Sequence, residues 1–244
     1  MKRKLKWIIP LVILALLAAA ILIYAADYYH ASGEAESALV SDDLVRVEKT
    51  DFGWFFDGPS AQEALIFYPG GKVEETAYAP LLHRLAENGV DVFLLKVPMR
   101  LAILGIDRAD TVMKQYSYDQ WNVGGHSLGG VCATAYASKH PDAFQSVILL
   151  AAYPMKQLDD SVDVLFLYGS EDGVLNLEKY EEAKKYAPGT SVEYVIQGGN
   201  HAQFGSYGIQ EGDGTALISS KEQQTIALDQ ILSVISPAEA VPAS

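Results

Sequence analysis

The sequence predicts an α/β protein, with a mostly parallel central sheet covered by helices on both faces and preceded by an N-terminal transmembrane helix. Three observations predict it. From residue 64 onward, apolar β-type runs alternate with stretches of helical periodicity, the pattern of successive strand–helix–strand units. Several of these runs, such as SVILLAAYP (146–154) and VDVLFLYGS (162–170), are apolar at nearly every position, as strands buried on both faces must be. The first 26 residues contain a long stretch without charge.

That stretch is WIIPLVILALLAAAILIYAA, residues 7–26. As a helix, 20 residues rise about 30 Å, the thickness of a bilayer's hydrocarbon core. Pro10 falls near the first turn, where a missing N–H costs little. Trp7 and Tyr24 flank the run, where amphipathic rings favour the membrane interface. Lys2, Arg3, Lys4 and Lys6 precede it and Asp27 follows, so the positive-inside rule places the N-terminus in the cytoplasm and the body outside. The competing reading is a cleaved leader, which would leave a secreted body. The run is longer than a usual leader's apolar region, and Tyr24 fits poorly at the −3 position of a cut after Ala26.

Residues 27–42 read as a polar juxtamembrane linker, 43–236 as the folded domain and 237–244 as a loose tail. LVRVEKT (44–50) and WFFDG (54–58) are opening strands able to pair antiparallel. ALIFYPG (64–70) is a buried strand ending in a Pro-Gly-Gly turn. Apolar residues 78, 81, 82 and 85 mark one face of a helix that Gly89 ends, with His83 on its polar side. DVFLLKV (91–97) is the next strand and DRADTVMKQY (107–116) the next helix. WNVGG (121–125) is a short strand entering a glycine turn, and apolar positions 128, 131, 132, 135 and 136 mark the helix after it. The two buried strands above follow, then a polar helix at 176–186 and the strand SVEYVIQGG (191–199). Ser219 and Glu222 form a capping box before an amphipathic helix at 220–235.

Composition narrows the function. Half of the 244 residues are hydrophobic, enough for a real core, and a single cysteine, Cys132, excludes an internal disulfide framework and a multi-thiolate zinc site. The formal net charge is −13; the first 26 residues hold four bases and no acid, so the remainder sets 14 bases against 31 acids. A body that acidic repels phosphate backbones, and no nucleic-acid partner is expected. The acidic stretch EGDGT (211–215) offers too few ligands for calcium, and no metal or organic cofactor is expected.

In parallel sheets, ligands bind beyond the carboxyl ends of the strands. Gly125-His126-Ser127-Leu128-Gly129 lies at such an end and reads G-x-S-x-G. A strand precedes it directly and an apolar-faced helix follows, the geometry that exposes a serine on a sharp turn. Its hydroxyl needs a base, and the base an orienting acid, in the chain order Ser, acid, His. Asp172 follows the strand ending at 170, and His201 follows the strand ending near 197. Among the five histidines, only His201 combines the chain order with a loop at the carboxyl edge; His126 adjoins the serine too closely to serve it. Glu171 is the weaker alternative to Asp172. Cys132 sits on the apolar face of the helix after the turn and reads as packed rather than reactive. Negative charge developing on a tetrahedral intermediate needs fixed donors. One is the Leu128 N–H; the other is assigned to the loop Pro69-Gly70-Gly71-Lys72-Val73, from either Gly71 or Lys72.

With these residues in place, the chain resembles the α/β-hydrolase superfamily, in particular its compact "fold-5" branch with dienelactone-hydrolase-like shape. The stretches that carry the resemblance are YPGGKV (68–73), VPMRLAIL (97–104), GGHSLGG (124–130), LLAAYP (149–154), YGSEDG (168–173) and GGNHAQFGSYG (198–208) with EGDG (211–214). The resemblance implies the triad Ser127, Asp172 and His201, the three that chain order selects. Two departures stand out. Dienelactone hydrolases use a cysteine nucleophile where this chain has Ser127, and Arg100 occupies a place where relatives would carry a small or helix-breaking residue. The stretch from Pro154 to Val162 is only nine residues long, leaving no room for a cap domain. An open pocket is expected, with Met99, Leu101, Phe204 and Tyr207 as candidate lining. The function these features favour is an anchored extracytoplasmic serine hydrolase acting on small-molecule acyl esters, with the bilayer as its second partner. An acyltransferase with the same triad, or a non-catalytic binding module on the same fold, are the alternatives.

Overall fold

The computed structural model describes residues 2–59 and 62–236, with backbone alone for residues 2–8, 18 and 20–23. One eight-stranded sheet organises the body. Its strands are β1 (Arg46–Lys49), β2 (Gly53–Asp57), β3 (Glu63–Tyr68), β4 (Val90–Leu95), β5 (Gln120–His126), β6 (Ser146–Leu150), β7 (Asp163–Gly169) and β8 (Val192–Ile196). They lie in the order β1-β2-β4-β3-β5-β6-β7-β8. The expected opening pair is antiparallel, Arg46 facing Asp57 and Lys49 facing Trp54. β2 also runs antiparallel to β4, and every pairing from β4 to β8 is parallel.

Burial follows strand position. β3, β4 and β6 are buried almost throughout, whereas β1 and β8 at the edges alternate or face solvent. Two cores result, one on each face of the sheet. Leu65, Phe67, Val92, Leu94, Ile148, Leu150 and Leu165 point to one face and meet the helices α3 (Ala79–Glu87) and α7 (Ser220–Ile235). Ile66, Tyr68, Phe93, Leu95, Val147 and Leu149 point to the other, beside α4 (Ala109–Gln115) and α5 (Leu128–Ala137), as the two-residue period requires. α6 (Leu177–Ala183) starts at Asn176, whose side chain accepts from the Lys179 N–H, and α7 starts at Ser219, whose hydroxyl accepts from the Glu222 N–H. Residues 151–162 pass from β6 to β7 without a helix, so no cap domain interrupts the sheet. The expected loose tail at 237–244 lies outside the described residues.

The N-terminal segment departs from the expected linker. α1 spans Lys2–Ala26, and its described apolar residues Ile9, Leu11, Val12, Ile13, Leu14, Leu16 and Leu17 are all exposed. Among the described residues no helix is long and apolar enough to cross a membrane; the expected span at 7–26 falls partly on residues 7, 8, 18 and 20–23, whose side chains are outside those described. Beyond α1 the chain does not hang free. Tyr29 forms a parallel bridge with Val73, the Ser32 N–H donates to the Ser206 carbonyl, and a short helix α2 (Gly33–Ser37) packs on the body. The same strap covers the α3 face expected to be polar. His83 is buried there, with Nδ1 on the Ala38 carbonyl at 2.9 Å and Nε2 on the Asp42 carboxylate at 3.0 Å. Asp42, His83 and Glu87 bring ligand-type atoms within 4.8 Å of one another, on the strap and α3 rather than on the elements that carry Ser127.

Candidate active site

β5 runs without interruption to His126, and α5 begins at Leu128, leaving Ser127 alone in the turn. Its backbone has φ 53° and ψ −124°, a conformation that L-residues adopt only when their surroundings enforce it. The enforcement is visible. The Ser127 N–H donates to the Leu150 carbonyl of β6 (2.9 Å), and the flanking glycines let backbones touch. A Cβ on Gly129 would stand 2.2 Å from the Tyr68 carbonyl oxygen, and one on Gly125 2.6 Å from the same atom. Only glycine allows α5 to close this tightly on β3. Ser127 and Leu128 are partly exposed while their neighbours on both sides are buried.

Asp172 and His201 meet as chain order requires. Asp172 lies in the turn after β7 and His201 in the loop after β8. The His201 Nδ1 lies 2.9 Å from Asp172 Oδ2, with both side chains 1% exposed. The other Asp172 oxygen accepts from the N–H groups of Val174 and Leu175 at 2.9 and 2.8 Å. An acceptor-only carboxylate on Nδ1 selects the tautomer with the proton there, leaving a lone pair on Nε2. His201 Nε2 is buried and has no hydrogen-bond partner among the described residues. No hydrogen bond joins it to the Ser127 hydroxyl; the two loops meet through His126, whose ring centroid is 4.5 Å from that of His201. Glu171, the alternative acid, turns away and accepts from the Ser170 hydroxyl.

Three residues that sequence reasoning did not select hold this arrangement. Asp213, within EGDG, receives the His201 N–H (3.1 Å), the Gly173 N–H (3.1 Å) and the Gly214 N–H (2.8 Å) on Oδ1, and the Ala202 N–H (2.8 Å) on Oδ2. One carboxylate thus ties the Asp172 turn to the His201 turn. Gln223 of α7 pairs with both backbone groups of Asn200, at 2.9 and 2.8 Å. Tyr78 sits behind the elbow. Its hydroxyl accepts from the Gly70 N–H (3.0 Å), so its own proton goes to His126 Nδ1 (2.8 Å). Burial holds the His126 pKa well below the ordinary imidazole value, and neighbouring His201 acts in the same direction. His126 is therefore a neutral structural group. The sequence signal for Asp213 was an aspartate between two glycines just after the His201 loop; the other two had none beyond their place on helices packed against it.

The loop after β3 resolves one open alternative. The Lys72 N–H donates to the Arg100 carbonyl at 2.9 Å, so it is spent, and the Lys72 ammonium turns outward to Asp27 at 2.5 Å. The Lys72 half of the expectation is corrected on that ground. The Gly71 N–H has no acceptor among the described residues, and neither has the Leu128 N–H, the first of α5. Gly71 lies against Leu128, whose Cδ2 would be 3.1 Å from a Cβ there. Two N–H groups without acceptors are therefore present, that of Leu128 next in the chain to the partly exposed serine and that of Gly71 against Leu128. The expected lining is only partly found: Met99 is exposed on the rim, whereas Phe204 and Tyr207 are buried in the core. A cleft of about 460 Å³ opens beside Asn200, Gln203 and Asp213, on the side of the His201 loop rather than over Ser127. Cys132 is buried and its thiol is pushed up to about 11, as packing predicts.

Set against known proteins, residues 64–225 match the model of the alpha/beta hydrolase family. No curated protein matches the chain. Among solved structures, TT1662 from Thermus thermophilus superposes with a TM-score of 0.58 at 15% identity, over 79% of this chain and 98% of that one. A dienelactone hydrolase from Anabaena variabilis gives 0.57 at 11%, over 79% and 99%. The carboxylesterase CesB from Bacillus subtilis gives 0.55 at 10%, over 89% and 98%. At these identities the likeness is one of fold.

Proposed function

Because the chain belongs to the alpha/beta hydrolase family, we propose that it is a serine hydrolase that cleaves acyl esters through Ser127, His201 and Asp172, held to the outer face of a membrane by α1. The observation that carries this reading is the buried His201 imidazole, oriented by Asp172, with an unpartnered Nε2 and its ring packed on His126, the residue before a serine on a strained turn. Ser127 Oγ attacks the ester carbonyl while His201 Nε2 takes its proton. The resulting imidazolium is stabilised by Asp172. The carbonyl oxygen becomes an oxyanion facing the N–H groups of Leu128 and Gly71. When the intermediate collapses, His201 returns the proton to the leaving alcohol. Water, activated by the same imidazole, then releases the acid from Ser127. No step requires a cofactor. The fold neighbour from Bacillus subtilis is a carboxylesterase, which supports the ester class without defining the acyl group. The anchor rests on the uncharged run at 7–26, the four bases before it and the exposed apolar face of α1.

The test is covalent labelling of the full chain in detergent by a fluorophosphonate, located by peptide mass spectrometry. A single adduct on Ser127, absent from Ser127→Ala, is expected. A folded wild type without that adduct would overturn the reading. Carbonate-resistant sedimentation with the membrane fraction, and digestion of the body by protease added outside intact cells, are the expected outcomes for the anchor.

A further inference from the structure

The loop that presents Gly71 is gripped from outside the hydrolase body. Two turns at the rim contain non-glycine residues with positive φ: Lys72 (59°) in one, Met99 (51°) and Arg100 (55°) in the other. Side chains disfavour this region, so each turn needs an external hold. The two turns are tied to each other by the Lys72 N–H on the Arg100 carbonyl. Within the body the Gly70 N–H donates to the Tyr78 hydroxyl and the Arg100 N–H to the Val97 carbonyl; the remaining hold on Lys72 and on the Arg100 side chain comes from residues 24–29. The Tyr29 N–H donates to the Lys72 carbonyl (2.8 Å), and the Tyr29 carbonyl accepts from the Glu74 N–H (2.9 Å). Asp27 accepts from the Lys72 ammonium, which also lies over the Tyr24 ring. The Arg100 guanidinium stacks on Tyr28, its central carbon 3.3 Å from the ring centroid, and one of its terminal nitrogens donates to the Ala25 carbonyl at 3.4 Å. Arg100 Nε is buried with no partner among the described residues, so the stack is the main restraint on that side chain.

We propose that Asp27, Tyr28 and Tyr29 are positioning residues for the oxyanion loop, with Tyr28 on Arg100 fixing the contact between the two turns and so the aim of the Gly71 N–H. Lys72 follows Gly71 directly, and its positive φ sets the direction of the peptide units on either side of it. If Arg100 lets go, its carbonyl no longer holds the Lys72 N–H, Lys72 relaxes to negative φ, and the donor next to it turns with the chain. Donors to an oxyanion act only within a narrow range of position. The segment that continues directly from α1 is therefore part of the machinery that stabilises the transition state. This inference rests on the serine-hydrolase reading above. The Tyr28 hydroxyl takes no part in the hold; the ring face does.

The experiment compares full-length wild type, Tyr28→Ala and Tyr28→Phe in detergent micelles by three readouts: ester kinetics, inhibition by a trifluoromethyl ketone, and hydrogen exchange of the Lys72 amide. A displacement near 1 Å at a reacting centre costs up to about 100-fold, and a partial relaxation is expected to cost roughly 10-fold. Tyr28→Ala should lower kcat by about that factor with KM held within about twofold, weaken the ketone by the same factor, and speed exchange at Lys72. Tyr28→Phe should restore all three. A role in stability alone would lower Tm and leave kcat per labelled serine and the ketone affinity unchanged, which would overturn the proposal, as would unaltered exchange at Lys72. Should Tyr28→Ala fail to fold, Arg100→Lys keeps the charge but loses the planar stack and must show the same kinetic pattern. A wild type that no fluorophosphonate labels refutes the hydrolase reading instead, and the catalytic role of the strap with it.

Discussion

Asp213→Asn tests the claim that one carboxylate aligns the two loops of the site. Asp213 accepts four backbone N–H groups, three on Oδ1 and one on Oδ2. With the asparagine oxygen at the Oδ1 place, three bonds remain, and the Ala202 N–H meets an amide donor instead of an acceptor. Hydrogen bonds to a charged group contribute about 1.5–3 kcal/mol and neutral ones about 0.5–1.5 kcal/mol. Losing one bond and weakening three, with partial relaxation, costs about 3 kcal/mol in total. For a body of this size that lowers Tm by roughly 10 °C. The effect on turnover is separate. The clamp sets the His201 backbone against the Asp172 turn, and their side chains meet at 2.9 Å; loosening it is expected to lower kcat by about 10- to 100-fold with little change in KM. Thermal unfolding and steady-state hydrolysis of a p-nitrophenyl ester, measured on the full chain in detergent below the variant's Tm, give both numbers. A kcat within twofold of wild type would refute the alignment argument even if Tm falls. An unchanged Tm would refute the hydrogen-bond reckoning itself.

Three further outcomes are expected. Gly129→Ala places a Cβ 2.2 Å from a backbone oxygen of β3 and should cost about 3 kcal/mol or prevent folding, whereas Gly33→Ala, with nothing within 4 Å, should unfold at the wild-type urea midpoint. His126 is held neutral by burial, with its folded pKa depressed below the unfolded value near 6.5. Its contribution is fully present above that value and is lost as pH falls from it toward the folded pKa, because only the unfolded chain takes up the proton. Wild type should therefore lose more stability than His126→Gln as pH falls from 6.5 to 5 in urea unfolding, the extra slope steepening toward a one-proton limit of about 1.4 kcal/mol per pH unit. Cys132, with its thiol raised to about 11 and buried, should resist iodoacetamide at pH 8 in the folded protein and react on addition of urea.

What the sequence disclosed, and what it hid, follows from which forces leave a periodic mark. The sheet was legible because buried parallel strands are apolar at every position and are bounded by glycine turns; β6 and β7 lie within the runs that announced them. Ser127, Asp172 and His201 were legible because each stands just past a strand end, where loops converge whatever their sequence. Asp213 was not. Its worth lies in accepting N–H groups from residues 173, 201 and 202, and nothing in EGDG says which backbone will arrive there. The choice between Gly71 and Lys72 was also closed to sequence, since it depends on whether the Arg100 carbonyl reaches the Lys72 N–H. Phe204 and Tyr207 were expected near the pocket because their loop is; the structure turns both rings inward, where His126 and Tyr78 pack on them.

The strap shows the same limit more sharply. Residues 27–42 carry few large apolar groups and several acids, so by composition they should bury little and behave as a linker. Ala35 is buried and Tyr29 and Leu39 pack on the core, but much of the hold comes from contacts that leave no hydropathy signal. Among these are the backbone bridge at Tyr29, the Ser32 N–H on the Ser206 carbonyl, the guanidinium stacked on Tyr28 and the imidazole hydrogen-bonded to the Ala38 carbonyl. His83 looked solvent-facing because its helix face is polar, and that face is polar because a hydrogen-bonding segment lies on it. The one sequence feature that pointed here was Arg100, a large charged residue where a small one was expected. A small residue there could not reach Tyr28, and without that contact nothing among the described residues would stack on the turn whose carbonyl holds Lys72. The arginine at position 100 and the ordered strap thus have one physical explanation. Arg100 lets a segment outside the hydrolase fold support the loop that carries the Gly71 donor.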